Sequence, residues 1–469
     1  MCGIAGIIAN FEVSGFLCWA LHTLQHRGQE SGGISTYNSG TVHKYKGYGL
    51  VSAIFTNDTL SALAGKTGIG HVRYPTTGGS EQENIQPFNF MFRGHSLSIV
   101  HNGNLVNTDE LRYEYEGRGH IFSTTSDTEV IAAILANEII HDQTVDAAIS
   151  FCMQRICGSY AVIFMLDGAL YTFRDPLGIK PLCLGWFKDG GYIVASESVA
   201  LDAVGAKLIR DVAPGESLRL RAGKVYSRQV MSASSPAHCV FEYIYFARAD
   251  SVIDGISVYD VRQKIGALLA KEAAVTADIT SPIPDSGTAA ATGYAAASGI
   301  PFREALIKNR YTGRTFIMPT QAKREMAVRM KLNPVRGHIT GKSVILVDDS
   351  IVRGTTSRRI IAIVREFGAK EVHLCIASPP VIAPCYLGTD FPTREELISH
   401  HKSVEEVRKA VKATSLTHIS FEGLVKAIGL PCSHLCTGCL TGVYPLAIPG
   451  EERELRDIER IDPYKNMEA

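Results

Sequence analysis

Three groups of residues in this sequence have types and spacings that could do chemistry. The first is Cys2, in the opening string MCGIAGI. The thiolate is the reactive form of cysteine, and a free thiol titrates near 8.5, so it needs a base. Removal of Met1 would supply one, because an N-terminal cysteine carries its own α-amine, titrating at roughly 7.7–8.0. The bland reading is a small hydrophobe that opens a strand. A lipid-modified cysteine is not expected: the apolar start is too short for a signal peptide and has no basic residues before it.

The second group is KSVILVDDSIVRGTTS, residues 342–357. A β-branched run ends in Asp348 and Asp349, followed by a Gly354-Thr355-Thr356 turn and a helix-like stretch. In an open parallel sheet, ligands bind at the carboxyl ends of strands. Turn amides and the hydroxyls of Thr355 and Thr356 would meet a phosphate at the helix N-terminus. The two acids could accept from vicinal ribose hydroxyls or hold Mg²⁺ through oxygen. IPDSGTAAATGYA, residues 283–295, is a second turn of small residues opening a helix, with Ser286 able to reach a metal and Gly287 beside it. No GxxxxGK[ST] string occurs, so a Walker-type phosphate loop is not supported. The alternative is a generic α/β strand end with an acidic pair.

The third group is cysteine-rich. CSHLCTGC, residues 432–439, could make a zinc site from Cys432, His434, Cys436 and Cys439. Cys18, Cys152, Cys157, Cys183 and Cys375 lie in apolar surroundings and read as core.

The elements that must position these groups change style along the chain. Up to about residue 230, short runs rich in Gly, Val, Ile and Tyr (GIAGIIA, GLVSAIF, SLSIVHNGNL, SYAVIFML, GALYTF, GYIVAS) are broken by turn signals and predict packed antiparallel sheets. TEVIAAILANEII, from Thr128, has helical periodicity. MSASSPAH, residues 231–238, is small, polar and Pro-containing and reads as a boundary. Beyond it, Ala-rich helical stretches (265–277 and 288–297) alternate with KSVILVDDS and KEVHLCIAS, as in a parallel α/β sheet. The basic stretch 308–334 reads as a lid over substrate or as a solvated loop. The charged tail from Gly450 reads as a solvated helix and loose end.

The strings MCGIAGI, HRGQESGGI (26–34), GHVRYPTTG (70–78), HNGNL (101–105) and SDTEV (126–130) resemble, in order and spacing, the class II glutamine amidotransferase domain, an N-terminal-nucleophile hydrolase. The resemblance implies that Cys2 attacks the glutamine amide and that Asn102 and the Gly103 N–H form the oxyanion hole. It also implies that Arg73 holds the substrate carboxylate and Asp127 its ammonium. In isolation these read as a turn, a surface arginine and a helix N-cap. Residues 342–357 resemble the phosphoribosyl pyrophosphate (PRPP) motif of type I phosphoribosyltransferases. Together the halves are similar to the glutamine PRPP amidotransferase family. That implies a glutaminase domain over 1–236 (stacked antiparallel sheets between helices) and a phosphoribosyltransferase domain over 237–469 (parallel sheet flanked by helices, with a C-terminal extension).

The resemblance carries further expectations. Ammonia from glutamine would displace pyrophosphate from PRPP, giving 5-phospho-β-D-ribosylamine at the entry to purine synthesis. Mg²⁺ would sit on Ser286, Asp348 and Asp349, with Gly287, Gly354, Thr355 and Thr356 on the substrate. One branch of the family carries a [4Fe–4S] cluster, and the strings HCVFEYIYFARADS, APCYLGTD and CTGC match it, implying Cys239, Cys385, Cys436 and Cys439 as ligands. The cluster is expected to lie apart from the motif residues, in a structural or oxygen-sensing role. ARADS, where many relatives have ARPDS, is a loop change of little expected weight. Methionine removal, rather than cleavage of a leader, is expected to expose Cys2. Feedback by purine nucleotides (Lys308 and Arg310 contributing) and a homotetramer are also implied.

Composition bounds these readings. A chain of 469 residues argues for two or three domains. It is 45% hydrophobic and 20% charged, with 47 basic and 47 acidic residues, so a nucleic-acid or membrane-surface partner is not expected. No apolar run reaches the roughly 18 residues of a membrane span. Eleven cysteines, an odd number, argue against a disulfide framework and for a reducing cytoplasm. The rivals are another glutamine amidotransferase, a non-catalytic PRPP sensor, and a glutaminase without an acceptor site. The Asp348-Asp349-GTT string argues against the first, and the Cys2, Arg73, Asn102 and Asp127 set against the second.

Overall fold

The computed structural model describes residues 1–74, 79, 81–141, 143–221, 223–232, 235–309, 332–389, 391 and 393–451. Most of the basic stretch expected as a lid, including Arg310, and the charged tail beyond Glu451 lie outside the described residues.

The strand Gly3–Ala9 shows how the first half is built. Its side chains alternate between two faces, as strand geometry requires. Ile4 and Ile8 join Ile69, Val100, Ile163 and Met165 in an apolar layer between two sheets, while Ala5, Ile7 and Ala9 face Leu17 and Leu21 of the helix Ser14–Thr23. One sheet has seven strands, in the order Lys207–Asp211, Cys183–Trp186, Gly191–Ala195, Gly3–Ala9, Thr67–Arg73, Ser31–Asn38 and Thr41–Tyr48. The other has six, in the order Lys224–Gln229, Glu216–Arg221, Ala169–Arg174, Gly158–Leu166, His95–Leu105 and Phe88–Phe92. The strand pairings in both are antiparallel. Helices Asp127–Ile140 and Val145–Arg155 cover the outer face of the second sheet. The layers are helix, sheet, sheet, helix, as the family resemblance implies.

GLVSAIF departs from its expectation. It is not a strand: Val51–Ile54 is a short helix. Its buried apolar side chains, Val51, Ile54 and Phe55, recur at three and four residues, which is the helical period.

In the second half, Ile279–Pro282, Ser343–Asp348, Glu371–Ile376 and Ser415–His418 form a parallel sheet in that order. Val344, Ile345, Leu346 and Val347 are all fully buried, because helices lie on both faces. Helix Val258–Ala273, longer at its start than the 265–277 expected, packs closely on Thr288–Ser298. The approach depends on glycine: a Cβ on Gly266 would stand 1.8 Å from the Ala290 carbonyl oxygen, and one on Gly293 would stand 2.0 Å from that of Gln263.

The halves are fastened where the small polar boundary ends. Ala237 and Cys239 donate backbone bonds to Leu177 and Ile179 (2.6 and 3.4 Å). Arg174, buried, forks to Asp254 at 2.8 and 3.0 Å. His238–Cys239 pairs in parallel with Leu435–Cys436 from the far end of the chain.

Candidate active sites

Cys2 precedes the central strand of the seven-stranded sheet and is buried. Its backbone nitrogen donates to Asn102 Oδ1 at 3.1 Å. Its Sγ lies 3.7 Å from the Tyr74 carbonyl oxygen. Asn102 and Gly103 lie on the strand His95–Leu105, not in a turn. Asn102 Nδ2 is buried without a hydrogen-bond partner among the described residues, so one donor of a buried amide is left for something else to accept. Gly103 has φ +157°, and a Cβ there would fall 2.0 Å from the Ser159 carbonyl oxygen. Only glycine lets this backbone pass.

Arg73 is 4% exposed, so it is no surface arginine. It sits at the end of the strand Thr67–Arg73, donating to Glu30 Oε2 at 3.0 Å and to the Gly79 carbonyl at 2.5 Å. Asp127 is not the N-cap of its helix; that place belongs to Ser126, whose side chain accepts from the Thr128 nitrogen. The Asp127 carboxylate instead accepts from the Leu105 nitrogen at 3.1 Å and faces His101 Nδ1 at 3.4 Å. Burial pushes its pKa up, but His101 and the Leu105 amide more than offset this and hold it below the usual carboxylate value. Cys2, Arg73, Asn102, Gly103 and Asp127 thus occupy one end of the two-sheet sandwich.

Met1 is in place and buried, its Sδ accepting from Lys180 Nζ and Thr389 Oγ1 at 3.3 and 3.4 Å. Burial lowers its amine to about 5, with Lys180 and Arg27 assisting against the opposing charge of Cys2. The Met1 amine is therefore neutral at pH 7.

The second centre lies at the carboxyl end of the parallel sheet. Asp348 ends its strand, and Asp349 donates its backbone nitrogen to Asp348 Oδ1 at 3.0 Å. Both are 8% exposed. Burial, then the neighbouring Asp349 carboxylate, raises the Asp348 pKa well above the ordinary value. The next strand over, Ile279–Pro282, leads into Ser286 and Gly287 and then the helix Thr288–Ser298. A Cβ on Gly287 would stand 2.2 Å from the Val347 carbonyl oxygen, so this turn lies against the strand that ends in the acids. Gly354, at φ +71°, caps the helix Thr355–Glu366, and Thr355 and Thr356 are exposed at its first turn. Hard oxygens, open hydroxyls and a helix N-terminus suit a divalent cation and a phosphate ester. Lys308, exposed, pairs with Asp285 at 2.7 Å beside the same turn.

The third feature is a nest of thiols. Cys239 and Cys436 are opposite each other in the two-residue parallel pair. Cys239, Cys385, Cys436 and Cys439 interact electrostatically, and burial raises Cys239 to about 11. All four are free thiols, three buried and Cys385 partly so; Cys432, also free, is exposed. Among the described residues no three His, Cys, Asp or Glu side chains close on a single metal ion. Four thiols, Cys239, Cys436 and Cys439 buried and Cys385 partly so, are the soft-donor set that an iron–sulfur cluster takes. The nest is not remote from the first centre, contrary to expectation. Residues that follow Cys385 lie against the strand that carries Asn102 and its neighbour Gly158–Leu166: Asn104 Nδ2 donates to the Tyr386 carbonyl and Ser159 Oγ to that of Leu387, both at 2.8 Å. The signal was absent from the sequence because Tyr386 and Asn104 are 282 positions apart. Of the five cysteines read as core, Cys152, Cys183 and Cys375 are buried, and Cys18 and Cys157 are partly so.

Sequence reasoning assigned no role to Arg27, Glu197 or Glu242. HRGQES contains Arg27, but its isolated pattern gives no partner. The buried Arg27 guanidinium touches the Cys2 carbonyl and both glutamates.

Fold and sites define the class: a glutamine amidotransferase domain joined to a phosphoribosyltransferase-type α/β unit. A family model of the glutamine amidotransferase domain matches residues 73–203. The amidophosphoribosyltransferase of Methanothermobacter thermautotrophicus is 49% identical over 97% of this chain and 96% of that protein. The Archaeoglobus fulgidus enzyme of the same name is 48% identical over 97% and 100%. The solved Bacillus subtilis glutamine PRPP amidotransferase, complexed with ADP and GMP, superposes with a TM-score of 0.90 at 45% identity, covering 96% of this chain and 98% of that one. The chain belongs to the amidophosphoribosyltransferase family.

Proposed function

We propose that residues 1–236 hydrolyse glutamine at Cys2 and that residues 237–469 transfer the ammonia to PRPP. The reaction is PRPP, glutamine and water giving 5-phospho-β-D-ribosylamine, glutamate and pyrophosphate, the committing step of de novo purine synthesis. With Met1 removed, the Cys2 α-amine takes the thiol proton as Sγ attacks the amide carbon. Asn102 Nδ2 and the Gly103 N–H stabilise the oxyanion, a role worth about 2.7–4 kcal/mol for one such donor. Ammonia leaves, and water cleaves the thioester to glutamate. Arg73 takes the substrate carboxylate in exchange for its internal partners, and Asp127 takes the ammonium.

At the second centre Asp348 and Asp349 orient the ribose, while Thr355, Thr356 and the Gly354 turn hold its phosphate. The turn at Ser286 and Gly287 takes the pyrophosphate. Mg²⁺, held by Ser286 and the two acids, would neutralise charge on the leaving group. Ammonia reaches the ribose carbon through a sheltered path, because in water it would be protonated and lose its nucleophilicity. Cys239, Cys385, Cys436 and Cys439 would hold a [4Fe–4S] cluster, with four thiolates as its ligands. The relative solved with ADP and GMP supports feedback by purine nucleotides, with Lys308 near the site. The enzyme works as a homotetramer in the cytoplasm; no helix among the described residues is long and apolar enough to cross a membrane.

The observation that carries this reading is the buried, unpartnered Nδ2 of Asn102 on a side chain already bonded to Cys2. The test is pyrophosphate release from PRPP and Mg²⁺ with glutamine or ammonia, in wild type and Cys2→Ala. The variant is expected to work with ammonia alone. Release in neither tube by wild-type protein would sink the assignment.

A further inference from the structure

The first centre is completed by a carboxylate from the other half of the chain. Arg27 is fully buried, and its Nε donates to the Cys2 carbonyl oxygen at 3.0 Å. Its guanidinium forks onto Glu242, Nη1 to Oε2 at 3.0 Å and Nη2 to Oε1 at 2.6 Å. Nη1 also meets Glu197, which His26 Nε2 shares at 2.7 Å. Glu242 is 2% exposed and lies 215 positions along the chain from Arg27. A buried guanidinium persists only where it is paired and hydrogen-bonded. Burial pulls the Arg27 pKa down, yet Glu242 and Glu197 more than reverse this and hold it above its ordinary value.

Glu242 is itself held from the second centre's side. It opens the five-residue π turn Glu242–Phe246, a form that recurs at functional sites. Arg262, buried on the helix Val258–Ala273, clamps this turn by donating to the carbonyls of Tyr243 and Ala247, both at 2.8 Å. That helix interlocks at Gly266 and Gly293 with Thr288–Ser298, which follows directly from Ser286 and Gly287. Beside it, the Arg248 backbone nitrogen and the Ser251 hydroxyl of ARADS donate to Glu197 at 2.9 and 2.5 Å, so this loop takes part in the same junction.

We infer that Glu242 is a positioning residue for the glutaminase reaction, supplied by the phosphoribosyltransferase half, which sets Cys2 through the Arg27 fork. Arg27 grips the carbonyl of the residue whose amine and thiol must both be aimed. A fork fixed on two sides has one orientation, and that orientation depends on the second half being docked. The inference rests on Cys2 being the nucleophile.

The test compares full-length Glu242→Gln, Glu242→Asp and Cys2→Ala with wild type. In Glu242→Gln, kcat for glutamine is expected to fall about 10- to 100-fold with little change in KM, the scale of a small misplacement of a reacting group. The ratio of glutamine-driven to ammonia-driven turnover falls with it. Alkylation of Cys2 by iodoacetamide slows, and its pH profile shifts. Glu242→Asp keeps the charge and recovers part of each loss. A glutamine-to-ammonia ratio and an alkylation profile like wild type in Glu242→Gln overturn the inference. Should that variant not fold, Glu242→Asp decides: a wild-type kcat and alkylation profile there overturn it equally. Glutamine-driven turnover in Cys2→Ala overturns the nucleophile assignment and the inference together, whereas failure in the Glu242 variants alone leaves that assignment standing.

Discussion

Cys2 and Asn102 are 100 positions apart and meet at 3.1 Å, the Cys2 nitrogen donating to Oδ1 while Nδ2 of the same amide has no partner among the described residues. One side chain therefore both holds the proposed nucleophile and keeps a donor free. Asn102→Ala is expected to cut glutamine-driven turnover about 10²- to 10³-fold, as for loss of an oxyanion donor. Ammonia-driven turnover at the other centre should fall far less. Equal losses with both nitrogen sources would show a fold defect instead.

Two glycines allow the proposed half-reactions to be tested apart. A Cβ on Gly103 would meet the Ser159 carbonyl at 2.0 Å, and one on Gly287 would meet that of Val347 at 2.2 Å. Gly103→Ala should suppress glutamate formation more than ammonia-driven pyrophosphate release. Gly287→Ala should do the reverse, losing pyrophosphate release with either nitrogen source. Paired glutamate and pyrophosphate assays on both variants check this, and a common pattern in the two would contradict it.

The motif strings were legible in the sequence because each is local: a strand end, a turn, a helix start. VDDS closes a strand and GTT opens a helix, as read, whereas HNGNL lies on a strand and not in the turn its residue types suggest. GLVSAIF misled because a short apolar run carries both periods at once, and only the burial of Val51, Ile54 and Phe55 resolves it. Glu242 was illegible. Nothing near it in EYIYF signals a guanidinium 215 positions away. The nearness of Cys385 to the strand that carries Asn102 was hidden for the same reason, since register between distant segments is decided by packing.

Cys239 stands opposite Cys436 across a pair of strands only two residues long, too short to hold the chain's far end unaided. Cys239→Ser is therefore expected to lose iron and the visible absorbance of the anaerobically purified protein. It should also lower the midpoint of thermal unfolding by several degrees. Cys432→Ser, at an exposed thiol, should change neither. Iron content and absorbance that follow Cys432 rather than Cys239 would mean that the ligand set is wrong.

His71 supplies a pH test of the sandwich itself. Its ring is fully buried, and both nitrogens lack partners among the described residues. Burial first, then the charges of Arg73 and His101, lowers its pKa to about 3, against 6.5 for the free side chain. Between those values the unfolded chain binds a proton that the folded chain does not. Stability from this group is therefore fully present above pH 6.5 and is lost as pH falls through the window toward 3. The slope is at most about 1.4 kcal/mol per pH unit. His71→Gln removes the titration, so its unfolding free energy should fall less steeply than that of wild type between roughly pH 6.5 and 5. Denaturant melts of the two proteins across that range make the comparison. Parallel curves would mean that His71 is protonated in the folded protein, and then the buried ring would need an acceptor facing it.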